Sequence, residues 1–87
     1  MIYPYITLAD DTEITHTHLF EEKGLKCVEV HFERPTENGF ESARCSLPSY
    51  KWIIRSGFKD EEIAEFEEIL RHNAHLIYRF AENGGVL

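Results

Sequence analysis

The last third of the chain, DEEIAEFEEILRHNAHLIYRFAEN from Asp60 to Asn83, limits the fold more than any other stretch. Ile63, Phe66, Leu70, Ala74, Ile77 and Ala81 recur at steps of three and four, the spacing of one helical face. Glu61, Glu65, Glu68, His72 and Arg79 fall on the opposite side. Ile69, Leu76 and Phe80 add a second apolar strip along one flank. The apolar arc is therefore wider than the roughly 100° stripe of an ordinary surface helix. Two arrangements would use it: a curved sheet wrapped around the helix, or a second subunit against the flank strip. The spacing predicts a helix over about 60–83 that fills the core for everything before it.

Both helix ends are marked. Phe58 and Ile63 have the separation of a hydrophobic staple around a cap at Lys59, with Glu62 at the capping-box position. Lysine caps poorly, which makes Asp60 the alternative. The acidic residues between 60 and 68 suit the positive end of the helix dipole. Asn83-Gly84-Gly85 supplies a left-handed stop.

Upstream, short β-prone runs alternate with turn residues. Strands are expected over about 2–8, 13–20, 27–33, 40–47 and 50–55. Pro4 marks the first as an edge strand. Turns fall at Asp10-Asp11, Glu21 to Gly24, Pro35 to Gly39 and Pro48-Ser49, with Asn38-Gly39 the strongest hairpin signal. The pattern is α+β: an antiparallel meander of four to five strands with one long C-terminal helix packed on one face. At 87 residues the chain is expected to form a single domain, 1–87.

Loop length fixes which side chains share a face. A two-residue Asn38-Gly39 turn would set Phe32 opposite Cys45, Val30 opposite Leu47 and Glu33 opposite Arg44. Even-length turns at Asp10-Asp11 and at Glu21 to Gly24 would complete a core face of Ile6, Leu8, Leu19, Val28, Val30, Phe32, Ala43, Cys45 and Leu47. The outer face then gathers Tyr3, Tyr5, His16, His18, Cys27, Glu29, His31, Glu33 and Arg44.

That outer face suggests two kinds of chemistry. His16 and His18 on one strand, with Glu29 and His31 on its neighbour, offer three nitrogens and an oxygen, a donor set for zinc or another first-row metal. The bland alternative is a polar strand face rich in histidine. A Tyr- and His-rich face would equally serve as a protein-contact surface, with Tyr3 and Tyr5 as anchors. The acidic helix start is a second contact surface, in which Glu61, Glu65 and Glu68 would dock onto a basic partner. Glu68, His72 and His75 lie within one turn of each other, a combination common on solvated helix faces.

Composition narrows the rest. A hydrophobic content of 43% with 13% aromatics argues for a folded globule. A net charge of −7 argues against binding nucleic acid directly, because phosphate contacts need clustered Lys and Arg. No apolar run reaches membrane-spanning length and the N-terminus lacks a signal-peptide pattern, so a cytoplasmic setting is expected, with no membrane partner. Cys27 and Cys45 read as two small buried hydrophobes. There is no Gly-rich loop opening a helix, no GxSxG and no HExxH, so no enzyme is expected, and no cofactor beyond the zinc alternative.

The run VEVHFERPTENGFESARCSLPSY, followed by an acidic helix ending RHNAHLIYRFAENGG, is similar to short bacterial proteins of uncharacterised activity associated with mobile elements. The resemblance covers most of the chain. It implies a bacterial, cytoplasmic setting and a small accessory or interaction protein, and it carries over no functional residues. The expectation is a protein–protein interaction or inhibitor/accessory module. Its partner would be a protein, with a basic one favoured, and self-association would run through Ile69, Leu76 and Phe80 or through an edge strand. The alternative is a metal-binding module on His16, His18, Glu29 and His31.

Overall fold

The computed structural model describes residues 2–85. It is an α+β fold with strands β1 (Ile2–Thr7), β2 (Glu13–Thr17), β3 (Phe20–Glu22), β4 (Leu25–Thr36), β5 (Gly39–Leu47) and β6 (Lys51–Ser56), then helix α1 (Asp60–Glu82). The sheet order is β1-β2-β4-β5-β6, antiparallel throughout, with β3 paired only to the start of β4. The helix covers one face and leaves the other open. No helix among the described residues is long and apolar enough to cross a membrane.

The core forms where the helix meets β2, β4 and β5. Ile14, Val28, Val30, Phe32, Ala43, Cys45 and Leu47 pack against Ile63, Phe66, Leu70, Ile77 and Ala81. Phe32 and Phe66 stack at 4.3 Å between centroids, and Phe58 meets Phe66 edge-on at 5.0 Å. Glu62 Oε1 accepts the Lys59 backbone N–H at 3.0 Å. A lysine ammonium has no acceptor to reciprocate, so only this half of the capping box exists. At the other end Gly85 N–H reaches Phe80 O at 2.7 Å, with Gly84 and Gly85 both at positive φ.

The β4–β5 hairpin differs from expectation by two residues without changing faces. Thr36 pairs with Gly39, so the turn is Glu37-Asn38 and Phe32 lies opposite Ala43 rather than Cys45. Gly39 takes the positive φ, at 135°, and Glu37 and Asn38 do not, so this is not the primed turn that Asn-Gly suggests. The primed geometry instead occurs at Lys23-Gly24 (φ 53° and 80°), where Glu22 pairs with Leu25.

Between Thr17 and Phe20 the ladder is interrupted, and this changes the outcome for the whole first half. Phe20 pairs with Cys27, but His16 pairs with Val30. The partner numbers sum to 47 on one side of the break and 46 on the other, a one-residue slip. With a side-chain period of two, that slip turns β2 over. Ile14 and His16 face the helix in place of Thr15 and Thr17, and β1 turns with them.

Tyr3 and Tyr5 lie near His16 as expected, at 5.6 and 6.5 Å between ring centroids, but on the helix side. Tyr5 packs edge-on against Phe80 and its hydroxyl donates to Asn73 Oδ1 at 2.7 Å. Ile6, expected in the core, is 44% exposed. Two of the three flank residues are used by the fold itself: Tyr5 covers Phe80, and Ile69 packs on the core cluster. Both sheet edges are irregular. β1 carries Pro4 and a bulge before Ile6, and β6 is bulged between Trp52 and Ile54. Such features blunt an edge against further strand addition.

Candidate functional site

The four expected metal ligands do not converge. His16 is fully buried on the helix face, where Nδ1 lies 2.8 Å from the Thr17 carbonyl and Nε2 has no hydrogen-bond partner among the described residues. A carbonyl only accepts, so Nδ1 carries the proton. His18 sits in the interruption and is exposed. Glu29 and His31 stay together on the open face, with His31 Nε2 at 2.8 Å from Glu29 Oε1. No group of three or more His, Cys, Asp or Glu side chains converges to hold a metal among the described residues. The slip that turned β2 over separated His16 from Glu29 and His31.

Tyr3 and Tyr5 therefore do not form an outer contact surface. What the open face presents instead is a polar network at its centre. Glu29 Oε1 takes the His31 bond and lies 3.7 Å from Arg44 Nη1, and Glu29 N–H donates to Thr17 Oγ1 at 3.1 Å. The latter bond occupies a donor near the interruption. The His31 and Glu29 side chains are 12% and 24% exposed, so the pair is held within the surface.

One end of the open face is concave. The β3 arm and the segment from Ser49 to Ile53 rise on either side of the Glu29–Ser46 pair, leaving a groove of about 530 Å³. Phe20 and Ile53 supply its apolar walls, and Glu22, Glu29 and Lys51 its charges; the Trp52 indole packs on Phe32 and donates to Glu67 Oε1 at 3.0 Å, on the helix side. A smaller pocket of about 230 Å³ adjoins it, sharing Glu22, Ser46 and Ser49 and reaching Cys27 and Pro48. Only part of this groove is legible in the residue pattern. The turn at Lys23-Gly24 was visible, but the arm it creates depends on the slip before Phe20.

The acidic helix residues lie where periodicity puts them: Glu61, Glu65 and Glu68 are all exposed. Glu68 pairs with Arg71 at 2.9 Å, whereas Glu61 and Glu65 make no ion pair among the described residues. His72 and His75 are exposed on the same helix. Of the two thiols, Cys45 is fully buried in the core, and burial, assisted by the nearby Glu67 charge, pushes it up to about 12. Cys27 is 7% exposed and lies beside Phe20 on the open side.

Comparison with protein-family models, with curated proteins and with solved structures finds no match to this chain.

Proposed function

We propose that this chain is a protein-binding module that docks a basic partner through the exposed acidic face of α1. The supporting observation is that Glu61 and Glu65 project from the helix with no ion pair among the described residues, while Asp60, Glu62, Glu67 and Glu68 are each paired within the chain. With a net charge of −7, this face attracts a cationic surface and speeds encounter with it. The helix is anchored at Phe66, Leu70 and Ile77, so the face is presented on a rigid element and needs little ordering on binding.

The test is capture of a basic partner by the native chain and by Glu61→Lys/Glu65→Lys/Glu68→Lys, each at low and high salt. Support requires that the triple variant loses the partner and that binding to the native chain weakens steeply with ionic strength. A partner held equally by both proteins moves the contact elsewhere and defeats the assignment.

A further inference from the structure

We propose that the groove on the open sheet face is a receptor for a basic side chain, arginine before lysine, presented in an extended segment of the partner. This rests on the protein-binding function above and gives it a specificity pocket on the opposite side of the molecule from the helix.

The groove has the parts that such a side chain needs. Its floor carries Glu29, whose Oε1 is fixed by His31 at 2.8 Å. The other oxygen, Oε2, takes none of the hydrogen bonds found among the described residues. One oxygen held and one open is a preorganised acceptor, because the carboxylate is oriented before any ligand arrives. Glu22 on the β3 arm is a second carboxylate among the lining residues, against the single lining cation Lys51, while Arg44 lies outside the lining, 3.7 Å from Glu29 on the Oε1 side. A planar, weakly hydrated guanidinium suits a half-buried carboxylate flanked by apolar walls better than a strongly hydrated, point-like ammonium.

The walls specify the rest of the ligand. Phe20 and Ile53 offer apolar surface to an aliphatic stem, in the way that long cationic side chains bury their methylenes while the head stays polar. A bare metal ion would leave these walls unused, and an anionic ligand would meet two carboxylates. The volume of about 530 Å³ lies within the ordinary range for ligand sites. Ile53 is 52% exposed where the β6 bulge lifts the chain, so apolar surface on the groove wall is left uncovered. An extended segment laid across this face would cover it.

The experiment is an amide-resolved NMR titration of the whole chain with acetyl-Leu-Arg-Leu-amide, beside its neutral isostere in which citrulline replaces arginine. Saturable shifts at Phe20, Glu29, Ser46 and Ile53 with the arginine peptide, and at least about fivefold weaker binding of the citrulline peptide, are expected, the scale of one half-exposed ion pair. Glu29→Gln should weaken the arginine peptide to a similar degree, and Glu61→Gln/Glu65→Gln should leave it unchanged. The citrulline comparison uses the unaltered protein, so it stands even if Glu29→Gln folds poorly. Equal binding of the two peptides, or no saturable shift in the groove, overturns the proposal. Shifts confined to α1 and abolished by Glu61→Gln/Glu65→Gln would overturn the groove while leaving the helix-face function intact. Groove binding together with a partner indifferent to the helix charge reversal would do the reverse.

Discussion

Arg34 donates from Nη1 to Glu62 Oε2 at 2.5 Å, joining the end of β4 to the first turn of a helix 28 residues further on. The same guanidinium reaches Glu41 at 2.7 Å and Asp10 at 2.9 Å, and lies 4.9 Å over the Phe58 ring. One side chain thus ties the β1–β2 loop, the central hairpin and the helix start together. Replacing Arg34 by Met leaves three carboxylates facing each other without a counter-charge. A loss of about 1–3 kcal/mol is expected in urea unfolding at pH 7.

Acid should act through the same residues. Glu62 is held below the ordinary carboxylate range by its Arg34 hydrogen bond and then by the Lys59 N–H, and Asp10 by its bonds to Thr12 and then Arg34. A depressed folded-state pKa gives stability that is fully present above the unfolded value, about 4 for these groups. That stability is lost as pH falls through the lower, folded value. Unfolding midpoints measured from pH 6 down to pH 2 should drop below pH 4. The part of the drop due to Glu62 should shrink in Arg34→Met, and an identical acid profile in the variant would remove Arg34 from the explanation.

The two histidines of the HTH run should behave oppositely. His16→Ala opens a cavity beneath Tyr3 and Tyr5 and is expected to cost about 2–4 kcal/mol. His18→Ala, at an exposed position, should stay within about 0.5 kcal/mol of the native chain. Equal effects would contradict the placement of β2.

The end of the helix is fitted to β1. A Cβ on Gly85 would lie 2.5 Å from Tyr3 Cδ1, and the residue sits at φ 90°. Gly85→Ala should therefore displace Tyr3 and cost about 1–2 kcal/mol, seen first as faster hydrogen exchange in β1 while β4 and β5 stay protected.

Much of the architecture could be read from residue patterns, and the failures that moved side chains to the other face share one cause. The 3.6-residue period from Ile63 to Ala81 located the helix. The alternation in CVEVHFE placed Val28, Val30 and Phe32 inward. The β4–β5 turn was misplaced by two residues, which exchanged partners and preserved faces. The interruption at His18-Leu19 was different, because nothing in THTHLFEE distinguishes a continuous strand from two short ones out of phase. The grouping of Tyr3, Tyr5 and His16 was readable, but not the side of the sheet they occupy. The groove is hidden for the same reason, since the arm that walls it begins at Phe20, where a continuous second strand would end.

Thiol chemistry offers an independent check of the two faces. Cys45, fully buried and pushed up to about 12, should be modified only when the whole domain opens. Cys27, beside the smaller pocket, should react under native conditions. With a small alkylating reagent at pH 8, mass spectrometry should show Cys27 labelled at least about 100-fold faster, as global opening is rarer than that even in marginal domains.

The break after Thr17 also sets how this chain can vary in length. Residues 18 and 19 lie outside the regular strands, where an added or lost residue would ordinarily be tolerated. The link holds one residue more than the segment it faces, four steps from His16 to Phe20 against three from Cys27 to Val30. Losing one residue here would close the bulge into a continuous ladder with Ile14 and His16 still inward, and a gained residue would be absorbed in the same bulge, because the β2–β4 pairing that sets those faces does not run through residues 18 and 19. The slip is thus a reserve of slack that lets β2 and β3 each keep its own register whatever the length of chain between them.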